Sequence, residues 1–143
     1  MNNKVGVYMT YFIGATERKL INNNINIPCF FRKDFGDIAY CCISKYGEDY
    51  KSVQKAVYCF SSYENFVKYN KTHITYGVFV CKIIKNKIRL PKDCWDMCEI
   101  KKGDKATIIG LVDHIAILSQ NWTEPETDID MDTITEVLEK YQL

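Results

Sequence analysis

Ile84-Lys85-Asn86-Lys87-Ile88-Arg89-Leu90-Pro91 decides the fold, because the chain has already written the same pattern 63 residues earlier as Ile21-Asn22-Asn23-Asn24-Ile25-Asn26-Ile27-Pro28. Each copy reads as a polar turn, an apolar–polar–apolar alternation, then a proline and a helix-like run. Asn is a natural turn residue because it tolerates left-handed backbone. Period two puts Ile25 with Ile27, and Ile88 with Leu90, on one face of a strand. Proline has no N–H to give a ladder and suits the first turn of a helix. Gly14 and Gly77 keep the same spacing. A repeated unit of this size points to two half-domains that pack together to hide one core.

Working outward, Val5 to Phe12 reads as a strand broken by Gly14, and Arg18 to Ile21 as a further short strand. Cys29 to Phe35 is expected as a helix stopped by Gly36. Ile38 to Ile43 and Ala56 to Phe60 read as strands. Ser61-Ser62-Tyr63-Glu64 is a capping-box pattern that starts a short helix, with Tyr63, Phe66 and Val67 on one face. In the second half, Tyr76 to Ile84 is a strand and Pro91 opens a helix carrying Cys94, Trp95 and Cys98. Ala106 to Leu111 and Ile115 to Leu118 form a hairpin about Val112-Asp113-His114. Ser119 caps a turn that returns Trp122 to the core. Past Pro125 the chain is acidic. There Thr133-Ile134-Thr135-Glu136 is a second capping box, and Ile134, Val137, Leu138 and Tyr141 predict a helix with one narrow apolar face. The divisions that follow are a first repeat over 1–70, a second over 71–124, and an acidic segment over 125–143.

The 143 residues are 47% hydrophobic and 26% charged, an ordinary globular composition for one domain or two interlocked halves. No apolar run approaches the roughly 20 residues that span a bilayer. The start, Met1-Asn2-Asn3-Lys4-Val5, lacks a signal-peptide pattern, so the expected compartment is the cytoplasm. Seven cysteines, an odd count, argue against a disulfide framework. Cys94 and Cys98, four apart on a helix, have the spacing for two corners of a metal site. Small buried apolar side chains are the favoured reading, since cysteine is a common core residue. Charge is uneven. Residues 1–70 carry nine Lys/Arg and six Asp/Glu, residues 71–105 nine and four, and residues 106–143 one and eight. A total of +1 thus joins a basic body, a plausible nucleic-acid surface, to an acidic tail.

The run Lys87-Ile88-Arg89-Leu90-Pro91-Lys92, a helix, Ile100-Lys101-Lys102-Gly103-Asp104-Lys105 and two strands resembles the SpoVT/AbrB type of DNA-binding half-barrel. The stretch from Ile109 to Trp122 closely resembles the end of the second repeat of MraZ proteins. In the first half, Phe12-Ile13-Gly14, Ile25-Asn26-Ile27-Pro28, Phe31-Arg32 and Tyr58-Cys59-Phe60-Ser61 also fit, so the resemblance covers roughly residues 7–125. It implies a mainly β fold with short helices (α+β), in which tandem SpoVT/AbrB-like half-barrels form one pseudo-twofold MraZ-like β-barrel unit, plus a C-terminal helix. It also implies a nucleoid-associated bacterial transcriptional regulator that binds promoter repeats in double-stranded DNA as a homo-oligomer, in a ring, and is not an enzyme. The family's D-x-x-x-R motif before each alternating strand is absent. Leu20 and Asn24 occupy its places in the first repeat, Ile83 and Lys87 in the second. Lysine lacks the planar fork by which arginine reads guanine.

The expected DNA-contacting residues are Lys82, Lys85, Lys87 and Arg89 around the second turn, and Arg18, Lys19 and Asn24 around the first, with Lys92, Arg32 and Lys33 flanking. Cations on a turn grip phosphates without reading sequence. No nucleophile–base pair, paired carboxylates, phosphate-binding glycine loop or metal cluster is legible. Asp113-His114 reads as a hairpin turn. Catalytic residues, metal ligands, cofactor, membrane and small-molecule substrate are therefore not expected. The alternative to a regulator is an assembly or protein-interaction module that keeps the fold without specific DNA binding.

Overall fold

The computed structural model describes residues 12–33, 35–47, 53–111 and 113–123, with the side chains of Phe12 and Ile13 excepted. The expected strand from Val5 lies almost wholly outside these residues, as does the acidic C-terminal helix. The described elements are β1 (Phe12–Lys19), β2 (Asn24–Asn26), α1 (Cys29–Arg32), β3 (Ile38–Lys45), β4 (Lys55–Phe60), α2 (Tyr63–Thr72), β5 (Thr75–Lys82), β6 (Lys87–Arg89), α3 (Lys92–Met97), β7 (Lys105–Leu111) and β8 (His114–Leu118). Six strands form one antiparallel sheet in the order β1-β7-β8-β4-β3-β5, and β2 pairs with β6 in a separate two-stranded ribbon.

The expected barrel is not formed. The large sheet is open, with β1 and β5 as its two edges, so the chain has a mixed α and β fold of two sheets and three helices among the described residues. The short strands β2 and β6 do not bridge those edges, because they pair with each other, Ile25 directly opposite Ile88.

The repeat is written into the pairing. β1, β2 and the start of α1 recur 63 residues later as β5, β6 and α3. Each half lends its first strand to the other: β1 pairs with β7, and β5 with β3. The ladders match in detail. Lys19 opposes Lys105 and Lys82 opposes Ile38; Gly14 opposes Gly110 and Gly77 opposes Ile43; the register shifts at the corresponding place in both ladders. Gly14 therefore sits at an irregularity within β1 and does not end the strand. Its φ of +147° is a conformation that suits glycine.

The sheet buries both faces. One packs against the ribbon, α1 and α3 around Trp95, Ile25, Ile88, Leu90 and Ile108. The other packs under α2 and Trp122, around Phe60, Phe66, Ala116 and Leu118. Cys94 and Cys98 are buried in the first core, as expected of small apolar side chains. Helix α2 is capped by Ser62, whose Oγ accepts from the Asn65 amide at 3.3 Å, one residue later than the capping-box reading placed it. Helix α1 is a single turn ending at Arg32, shorter than the expected run to Phe35. Trp122 does return to the core: its amide donates to the Ser119 carbonyl, and its ring meets Tyr46 edge-on at 5.8 Å.

Candidate nucleic-acid interface

The ribbon is built on two matching turns. Asn22 and Asn23 have φ of 52° and 63°, and Lys85 and Asn86 have 52° and 64°. Positive φ at both central residues makes a two-residue hairpin turn whose twist suits the flanking strands. Reciprocal backbone hydrogen bonds close each turn, between Ile21 and Asn24 and between Ile84 and Lys87. Each turn is also tied to the other half. The Leu90 amide donates to the Asn23 carbonyl at 3.2 Å, and the Ile27 amide to the Asn86 carbonyl at 2.7 Å.

A pair of equivalent side chains reinforces this clasp with different chemistry. Trp95 donates from Nε1 to the Asn23 carbonyl at 3.1 Å and the Leu90 carbonyl at 3.2 Å. Arg32, 63 residues earlier, donates from its guanidinium to the side-chain oxygen of Asn86, and also to the Gly36 carbonyl at 3.2 Å. Arg32 is thus committed to holding the second turn. Lys92 pairs with Asp96 at 2.9 Å one helical turn on, with both side chains exposed.

On the ribbon, Ile25 and Ile88 point inward and are fully buried. By alternation Asn24, Asn26, Lys87 and Arg89 point outward. They form two cross-strand pairs, Asn24 with Arg89 and Asn26 with Lys87; the first asparagine is half-buried and the other three residues are exposed. The turns stand at opposite ends of this surface, about 13 Å apart for four residues of extended chain. B-DNA's major groove is about 12 Å wide and admits a two-stranded ribbon.

Of the expected residues, Asn24, Lys87 and Arg89 share this face, and Lys85 projects from the turn at one end. Lys19 and Lys82 are exposed but stand at strand ends on the face of the large sheet away from the ribbon, since their neighbours Leu20 and Cys81 point into the ribbon-side core. Arg18 is half-buried and folds back, donating to Thr16 Oγ1 at 2.9 Å and the Glu17 carbonyl at 2.7 Å. The positions where the family carries aspartate, Leu20 and Ile83, are 2% and 8% exposed in the core. Asn26 was legible from the same period-two rule that places Asn24. Lys101 and Lys102 were not. Their turn is brought beside the first one by backbone bonds from Leu20 to Asp104 and from Gly103 to Leu20, a long-range contact with no local signal.

Away from the ribbon, a pair of cysteines and the Asp113–His114 pair are tied into the packing. The Cys41 thiol lies 3.3 Å from Cys59. The hydrogen bond with Cys59, together with burial, raises its pKa well above the usual thiol value. A buried thiol held protonated is a poor nucleophile. Asp113 and His114 pair at 2.7 Å in the β7–β8 turn, and this contact holds the carboxyl below its usual value. The His114 ring stacks on Phe60 at 4.7 Å, which ties the pair to packing. Among the described residues no group of three His, Cys, Asp or Glu side chains is placed to hold a metal ion, and no helix is long and apolar enough to cross a membrane.

No protein-family model matches the chain, and no curated protein matches it. The likeness to MraZ proteins is carried by the residues quoted above alone.

Proposed function

We propose that the chain is a DNA-binding transcriptional regulator that acts as a homo-oligomer and contacts double-stranded DNA through the β2–β6 ribbon. The observation that carries this reading is the outward face of the ribbon: Asn24 opposite Arg89 and Asn26 opposite Lys87, anchored below by Ile25 and Ile88. Lys85, Lys87 and Arg89 would supply phosphate contacts, and Arg89 and the two asparagines carry the donor and acceptor groups that pair with base edges. A rigid support matters here, since a site held by packed neighbours loses little entropy on binding. The test is an electrophoretic shift with the DNA upstream of the chain's own gene at two salt concentrations. A shift that weakens with salt and with Lys87→Ala/Arg89→Ala supports the reading. No shift even at low salt overturns it.

A second reading, an assembly or protein-interaction module, is favoured by the burial of Leu20 and Ile83. The surface where the family displays aspartate is core in this chain, so sequence-specific readout would rest on the ribbon alone. Oligomerisation without any DNA shift is the result that favours it.

A further inference from the structure

Strand β5 carries an apolar stripe along an edge of the large sheet. Tyr76, Val78 and Val80, with Ile74 just before the strand, are 51%, 54%, 65% and 77% exposed. Among the described residues β5 pairs with β3 alone, and the N–H and C=O groups of its outer edge meet no other strand there. An open apolar edge is a template for another strand, and proteins that need to avoid such pairing place charge there. The opposite edge does so. β1 occupies the same frame 63 residues earlier, with Ala15 in the place of Val78 and Glu17 in the place of Val80. The two edges share register and backbone, and they differ in what they present to solvent.

We propose that β5 is a self-association edge, through which two copies of the chain pair antiparallel about a twofold axis at Val78. The proposal deepens the homo-oligomer reading above and rests on it. The stripe is complementary to itself in this register. Tyr76 faces Val80 of the second copy, Val78 faces its own copy, and Ile74 faces Lys82, whose aliphatic stem covers apolar surface while its ammonium stays wet. Aromatic with β-branched pairs are among the favourable cross-strand combinations. The Lys55 ammonium, 5.0 Å over the Tyr76 ring, stands at the rim. An isologous contact closes at two copies, so an apolar edge of this kind yields a dimer and not an open filament.

The test is the solution mass of the full chain, by light scattering, with Val78→Lys and Val78→Glu prepared separately. The position is more than half exposed, so both variants are expected to fold, which circular dichroism checks. The wild-type chain should run at twice its 16.7 kDa mass. Like charges meeting across the axis cost several kcal/mol, so each variant alone should bind itself roughly 100-fold more weakly and run at single mass. An equimolar mixture of the two should recover the double mass, because lysine then faces glutamate. If Val78→Lys stays dimeric, the β5 interface is wrong while self-association stands. If the wild type runs at single mass, both are wrong. If the mixture stays monomeric, another segment of this chain or a different protein covers the stripe and the proposal fails.

Discussion

Replacing Trp95 should loosen one end of the clasp between the two halves, and the structure sets how much. The side chain is fully buried, and its Nε1 serves the carbonyls of both Asn23 and Leu90. Trp95→Ala empties the centre of the main core and should cost about 3–5 kcal/mol. Trp95→Phe keeps most of the packing. It loses the shared hydrogen bond, about 1–2 kcal/mol, and part of a ring, roughly 1 kcal/mol. For a chain of this size each kcal/mol moves Tm by about 2–4 °C, so phenylalanine should lower it by about 4–12 °C. Urea denaturation measures the free energies, and amide exchange locates them. The Leu90 amide bonds to the Asn23 carbonyl, at the end Trp95 holds; the Ile27 amide bonds to the Asn86 carbonyl, at the end Arg32 holds. Trp95→Phe should therefore speed exchange at Leu90 more than at Ile27. A cost below about 1 kcal/mol for Trp95→Ala, or equal exchange at the two amides, would mean that Trp95 does not hold this end of the clasp.

Gly77→Ala places a Cβ at 2.9 Å and 3.2 Å from the Phe79 ring, which is packed against the core, so it should cost about 1–3 kcal/mol. Gly36→Ala meets nothing within 4 Å and serves as the control, within about 0.5 kcal/mol of wild type by denaturation. Burial pushes the thiols of Cys42 and Cys98 from 9.0 up to about 12. Unfolded thiols ionise first, so their contribution is full below pH 9 and is lost as the pH rises from about 9 to 12. Urea midpoints at pH 8 and 10.5 check the fall, which Cys42→Ala/Cys98→Ala should lessen but not abolish, because Cys41, Cys81 and Cys94 are raised as well.

The repeat was legible because its signals are local. Asn22-Asn23 and Lys85-Asn86 both adopt the left-handed turn, and Pro28 and Pro91 both open a helix. The hairpin around Asp113-His114 and the return of Trp122 are local for the same reason. The exchange of β1 and β5 between halves was not legible. Strand pairing between residues such as Gly14 and Gly110 is set by the assembled core, and no short-range period encodes it. The barrel expectation failed at this point: the family likeness supplied closure, whereas here the edge strands stay apart. At the candidate site, Asn24, Lys87 and Arg89 share one face of the ribbon, as period two requires of residues flanking Ile25 and Ile88. Lys19 and Lys82, grouped with them by nearness in sequence, stand on the other face of the large sheet, because a strand sends neighbouring residues to opposite faces. Arg18 differs in another way, since its guanidinium folds back onto Thr16 and Glu17.

The ribbon reading stands or falls on whether its outward face touches DNA. Its most direct test is the salt dependence of binding to duplex DNA for the wild type, Lys87→Ala/Arg89→Ala and Lys19→Ala/Lys82→Ala. Each phosphate contact adds about 0.9 to the magnitude of the slope of log K against log salt. Removing Lys87 and Arg89 should reduce that magnitude by about 1.8 per chain. Removing Lys19 and Lys82, on the other face of the sheet, should leave it unchanged. An unchanged slope for the first pair, or a reduced one for the second, would put the DNA contact somewhere other than the ribbon.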